Sequence, residues 1–170
     1  NSKGYGSPDK NGFRRMNAAP TGSVVIEAPA KINLYLHVVG RRSNGYHELE
    51  SLIAFTDEFD VLTLEASDEL TLEIDGTFAD RLPTSDDNLV LRAARALGEA
   101  AGVDPVARIR LRKELPVAAG LGSGSADAAA TLRGLAQLWD IDASKVDLKE
   151  VGFGLGTDIP ACLVSDTVHV

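Results

Sequence analysis

The segment Pro116-Val117-Ala118-Ala119-Gly120-Leu121-Gly122-Ser123-Gly124-Ser125-Ala126 constrains this chain more than any other stretch of it. Before it stands ARIRLRK (107–113), which alternates apolar and charged residues as a strand does, and from about 124 to 139 an Ala/Leu-rich run has the makeup of a long helix. A strand that turns through glycines into a helix gathers backbone N–H groups and the positive end of the helix dipole at one point. Glycine lets that backbone approach an anion closely and take positive φ. The segment predicts a phosphate-binding loop. No Gly-Lys-Ser/Thr follows the glycines, so it is not a Walker A loop, and it is not the dinucleotide GxGxxG. A glycine-rich turn that serves only tight helix packing is the alternative reading of the same residues.

The remaining chain divides by its periodicity. Residues 1–23 are dense in Gly, Ser, Asn and Pro without an apolar period and read as a flexible tail, with the folded domain expected over 24–170. Met16 is a candidate natural start, which would make 1–15 a leader, a read-through or a remnant. SVVIEA (23–28) and INLYLHVV (32–39) predict two adjacent strands, and Arg41-Arg42-Ser43-Asn44-Gly45 predicts a turn, Asn-Gly being suited to tight hairpins. SLIAF (51–55), DVLTLEA (60–66) and LTLEI (70–74) predict three further strands, the last two half-buried by their period of two. Ser85-Asp86-Asp87-Asn88 ahead of LVLRAARALGEAAG predicts a capped amphipathic helix of about 14 residues ending at Gly102. A shorter helix is expected within 143–155, and Gly156-Thr157-Asp158-Ile159-Pro160 reads as a loop leading to the apolar ACLV. Strands and helices are mixed without strict βαβ repetition, so the expected class is α+β.

Charge and composition narrow the functions. The 170 residues, 44% apolar and 25% charged, suit one ordinary globular domain or part of a larger enzyme. The formal net charge is −8, and since the tail sets Lys3, Lys10, Arg14 and Arg15 against Asp9, a net of +3, the body carries −11. That balance argues against a nucleic-acid partner. No apolar run approaches the ~18 residues of a membrane span, and no signal-peptide core is seen, so no membrane partner and a cytoplasmic location are expected. Cys162 is the single cysteine and cannot form an internal disulfide, while His37, His47 and His169 are scattered. No zinc-type cluster is expected, and a metal should arrive with a substrate.

Three further segments carry chemistry-bearing residues. In Ala28-Pro29-Ala30-Lys31-Ile32-Asn33-Leu34 a period of two puts Lys31 and Asn33 on one face, where an ammonium and an amide could hold a phosphate or a hydroxyl, or merely face water. In Gly45-Tyr46-His47-Glu48-Leu49 the Tyr46 and His47 rings could stack on a planar base, or cap a hairpin. Asp158 could accept a hydroxyl proton or hold Mg²⁺, or cap a turn.

Taken together, PAKINLYLHV, GYHEL, DNLVLRAA, LPVAAGLGSGSADAAATL and LGTDIPACL resemble the 4-diphosphocytidyl-2-C-methyl-D-erythritol kinase family of the GHMP small-molecule kinases, from about Val24 onward. The glycine loop indicates the superfamily; PAKIN with GYHEL narrows it. The resemblance implies a GHMP-kinase N-terminal lobe and ATP-dependent phosphorylation of a 2-hydroxyl in non-mevalonate isoprenoid (terpenoid) biosynthesis, with ATP and Mg²⁺ as cofactors. It implies a small-molecule substrate, the cytidine diphosphate of methylerythritol. Pro116 to Ala126 would wrap the ATP phosphates, Asp158 would take the hydroxyl proton, and Lys31 would steady it. Asn33 and His47 would contact substrate, Tyr46 would stack on cytosine, Asn88 and Lys113 would lie near adenine, and Ser125 would reach Mg²⁺-ATP. It further implies a second lobe with another glycine-rich segment, so that the 170 residues are expected to be an N-terminal part whose activity alone is open. Two local departures are AAGLGSGSA, where richer glycine is common, and Thr157, where alanine is frequent. Another GHMP kinase, or a non-catalytic nucleotide-binding fragment, are the alternative functions.

Overall fold

Alternation along β4 (Ala107–Arg112) sets the two sides of the molecule: Ala107, Ile109 and Leu111 are buried, whereas Arg108, Arg110 and Arg112 are exposed. The computed structural model describes residues 22–41, 47–117, 122–164 and 168–169, with side chains outside 33–53 and 168–169. β4 lies inside a five-stranded sheet with β1 (Ser23–Arg41), β2 (His47–Glu65) and β3 (Leu70–Asp75), in the order β1-β2-β4-β3. The short β5 (Val168–His169) pairs with β2. β2 pairs antiparallel with β1 and with β4, and β3 lies parallel to β4. Parallel neighbours need a crossover, and the chain supplies it as α1 (Leu89–Ala101), so one βαβ unit is embedded in an otherwise antiparallel sheet. This is an α+β arrangement, as expected.

The termini of α1 are built from the residues that predicted them. Asn88 is its N-cap, the side chain accepting from Val90 N, and Gly102 closes it in the left-handed region at φ 67°. α2 (Ser123–Leu138) is different: every residue from Ala126 to Leu135 is buried. It runs between the sheet on one side and α1, α3 (Leu148–Leu155) and α4 (Ile159–Cys162) on the other. Small residues permit that central position. A Cβ at Gly134 would run into the Leu64 Cδ1 methyl, so glycine is what lets α2 settle onto β2. The core is the seam between them, with Leu62, Leu64, Ile109, Leu111, Leu132 and Leu135 at zero exposure.

Two expectations are corrected. Residues 23–28 and 32–39 form one strand, β1, and 51–55 and 60–66 form one strand, β2. The strands stay continuous because the pairing absorbs the interruption. Between the pairs Pro29–Phe59 and Lys31–Phe55, β1 advances two residues and β2 four, a bulge at the position where Pro29 has no N–H to donate. The loop 156–160 is also shorter than predicted, since Ile159 and Pro160 open α4, with proline in the first turn, where its missing N–H is harmless. The predicted turn at 41–45 falls largely on 42–46, outside the described residues, and Arg41 pairs with His47 on either side of it. The expected tail also lies outside them, except for Gly22 and Ser23.

Candidate active site

At the bulge Ala30 and Lys31 are both buried, so the two-residue alternation fails and Lys31 sits inside the fold at 2% exposure. Its ammonium lies 3.0 Å from Asp158 Oδ2, whose carboxylate is 56% exposed. Asp158 is held at the start of α4 and makes no side-chain cap bond there, which leaves its outer edge open. A buried cation therefore backs a carboxylate that faces outward.

The glycine loop arrives at the same place. Gly122, the N-cap of α2, sits in the left-handed region at φ 58°, and a Cβ on it would lie 2.8 Å from Lys31 Cε. Among the described residues no side chain caps α2, and the first-turn amides at Ser123, Gly124 and Ser125 stand at its positive end. Among the described residues nothing lies within 4 Å of a Cβ at Gly124. Ser123 Oγ donates to Pro116 O at 3.2 Å and ties the two ends of the loop together. Residues 118–121 of the loop lie outside the described residues, as do Tyr46 and the side chains of Asn33 and His47.

Asn88 and Lys113, the expected neighbours of adenine, are occupied within the fold. Asn88 is 5% exposed and caps α1 while donating to Pro83 O at 2.7 Å. Lys113 is fully buried and donates to Asp60 Oδ2 and Asp127 Oδ2, each at 2.6 Å. These two carboxylates were missed in the sequence. A signal exists for Asp127, the one acidic residue inside an otherwise small and apolar helical run. Behind Lys31, burial pushes the Cys162 thiol up to about 11 against the opposing pull of the Lys31 charge, so it stands as a neutral, unreactive group. Burial likewise pushes the Arg133 guanidinium down to about 10, and this side chain donates to Glu27 O. Among the described residues, no group of three or more His, Cys, Asp or Glu side chains could hold a metal ion.

A helix N-terminus beside a Lys–Asp pair supplies charge and positioning of the kind that phosphoryl transfer draws on. Residues 88–166, from the cap of α1 through α4, match the family described as GHMP kinases N terminal domain. More particularly, the chain is 51% identical over 148 residues to the 4-diphosphocytidyl-2-C-methyl-D-erythritol kinase of Paramagnetospirillum magneticum, covering 87% of this chain and 52% of that protein. It is 50% identical over 150 residues to the enzyme of the same name from Rhodospirillum rubrum, covering 88% and 49%. Its fold matches a crystal structure of 4-(cytidine 5'-diphospho)-2C-methyl-D-erythritol kinase with a TM-score of 0.68 at 37% identity, over 86% of this chain and 51% of that one. A homoserine kinase from Cytophaga hutchinsonii shares the fold alone, at 19% identity and a TM-score of 0.62, over 87% of this chain and 44% of that one. The chain spans about half the length of the relatives it matches.

Proposed function

We propose that this chain carries the phosphate loop and the acid–base pair of a kinase that moves the γ-phosphoryl group of ATP to the 2-hydroxyl of 4-diphosphocytidyl-2-C-methyl-D-erythritol, in non-mevalonate isoprenoid synthesis. The observation that carries it is the 3.0 Å Lys31–Asp158 pair, formed where Gly122 leads into α2. The roughly 50% identity to kinases of that name supports the choice of substrate.

In this reading the loop Pro116–Ala126 and the amides of Ser123, Gly124 and Ser125 cradle the nucleotide phosphates. Asp158 receives the proton of the 2-hydroxyl as its oxygen bonds to the γ-phosphorus and the bond from that phosphorus to the β–γ bridging oxygen breaks, leaving ADP. Lys31 holds the carboxylate in place and places a positive charge beside the transferring group. Positioning and charge are most of what such a transfer needs. Mg²⁺ would add charge neutralisation on the phosphates, and the Ser125 hydroxyl and Asp158 carboxylate are hard oxygen donors of the kind it accepts. Asn33, Tyr46 and His47 are assigned to the substrate, Tyr46 to the cytosine. Asn88 and Lys113 are left out of the nucleotide contacts, because both side chains are buried with partners inside the fold. Among the described residues no helix is long and apolar enough to cross a membrane, and a cytoplasmic site of action goes with this nucleotide chemistry.

The test is transfer of label from γ-labelled ATP to the diphosphocytidyl substrate, run beside Asp158→Ala. Transfer that falls by about 10² or more in Asp158→Ala, with ATP affinity nearly unchanged, is the expected result. Normal turnover in that variant would remove Asp158 from its role. Phosphorylation of another alcohol without competition from cytidine nucleotides would move the chain to a different GHMP substrate.

A further inference from the structure

Lys113, Asp60 and Asp127 form a buried ionic triad that the phosphoryl-transfer reading does not use. Asp60 comes from β2, Lys113 follows the last residue of β4, and Asp127 lies on α2 four residues after its start. All three are at most 1% exposed. Lys113 Nζ donates to Asp60 Oδ2 and Asp127 Oδ2 at 2.6 Å, and Asp60 Oδ1 accepts the backbone amides of Glu114 at 2.6 Å and Leu115 at 2.8 Å. Apolar residues of similar volume would stabilise a core at least as well as buried ions, so stability alone does not account for the triad. Its placement does. Lys113 stands three residues before Pro116, where the glycine loop begins, and Asp127 immediately follows Ala126, where it ends, so the Lys113–Asp127 pair joins the chain on either side of the loop. The Asp60 carboxylate turns the chain out of β4 into it.

We propose that the Asp60–Lys113–Asp127 triad is a positioning device that fixes the two described ends of the phosphate loop, 114–117 and 122–126, before nucleotide arrives. The proposal rests on the nucleotide-site reading above for its ligand. Fixing both ends of a glycine-rich segment removes, in advance, ordering that the nucleotide would otherwise impose on binding. The triad touches no nucleotide itself and acts through residues 114–117 and 122–126.

The test compares three folded variants of the full chain. Asp127→Asn keeps the shape and removes the charge; Leu97→Ala, in the core of α1, supplies a destabilised control. The triple variant Asp60→Asn, Lys113→Met, Asp127→Leu replaces the ions by a largely apolar cluster whose stability should recover toward that of the parent. Calorimetric binding of Mg²⁺ with a non-hydrolysable ATP analogue and amide hydrogen exchange are read on each. We expect at least tenfold weaker binding in Asp127→Asn and in the triple variant, with exchange quickened across 114–126, while Leu97→Ala keeps the parent affinity. Affinity that returns with stability in the triple variant, or exchange at 114–126 no faster than in Leu97→Ala, overturns the proposal. If the parent chain binds no ATP analogue, the nucleotide reading fails by itself, and the exchange pattern still decides whether the triad shapes the loop.

Discussion

Lys31 is the residue on which the site turns. An ammonium buried to 2% exposure loses its hydration and is tolerated only with compensating charge and hydrogen bonds, here from the Asp158 carboxylate at 3.0 Å. Lys31→Met keeps the stem's volume and drops the charge. It is expected to fold, by circular dichroism and thermal melting, while lowering turnover by about 10²–10³. Asp127 makes a second residue-scale prediction. One ammonium faces two carboxylates, and Asp60 also holds two backbone amides whereas Asp127 Oδ1 meets no donor among the described residues. Burial therefore pushes Asp127 up to about 7, opposed by the Lys113 charge. The unfolded chain releases that proton near 4 and the folded chain near 7, so between these values the folded state binds more protons. Asp127 then makes the protein less stable as pH rises from about 4 to about 7, with a slope of at most about 1.4 kcal/mol per unit. Urea midpoints of the parent and of Asp127→Asn across pH 4–8 should differ by that slope, and parallel curves would assign the proton elsewhere.

At the scale of elements, α2 explains why the sheet and helices pack as they do. Its alanines and Gly134 bring its axis close to β2, and a side chain at Gly134 runs first into the Leu64 and Ile26 methyls. Gly134→Val is expected to destabilise by about 1–3 kcal/mol through overpacking, read from denaturant midpoints. The same scale shows what local pattern can and cannot tell. Asn88 and Gly102 marked α1 because a cap is a contact within a few residues, and ARIRLR marked β4 because one face is wholly buried. The run containing Pro29 looked like a break, yet the strand continues there because β2 yields extra residues opposite it. A bulge is a property of two strands, and no single stretch records it.

Across the whole molecule one face of the sheet carries the helices and the other carries charge. Arg108 faces Glu65 at 3.8 Å and Arg110 faces Glu73 at 3.4 Å, with Arg112 held by Glu114 at 2.9 Å. Exposed pairs of this kind contribute little stability, but they keep the face of the βαβ unit polar and pair off the arginine row. Among the described residues the exposed apolar side chains include Val25, in line with Thr63 and Arg110 on that face, and Phe153 on α3, the most open at 65%. Phe153→Lys is expected to change stability by no more than about 0.5 kcal/mol, since no core contact is lost, and to reduce association in concentrated solution measured by light scattering. A loss of several kcal/mol would show that Phe153 packs more deeply.

What could be read along the chain was whatever depends on neighbours in sequence: the glycine loop between β4 and α2, the caps of α1, the alternation of β3 and β4, the small-residue run of α2. Backbone preferences and periodicity act over a few residues, so these features are written where they occur. The motifs containing Lys31 and Asp158 were visible too, as a resemblance to the GHMP kinases. That these side chains meet across 127 positions, that a bulge turns Lys31 inward, and that Lys113 lies with Asp60 and Asp127 in the core all depend on the register of distant strands and on the seat of α2. Electrostatic partners are chosen by space and by the loss of water around them, and both arise only when the chain closes on itself.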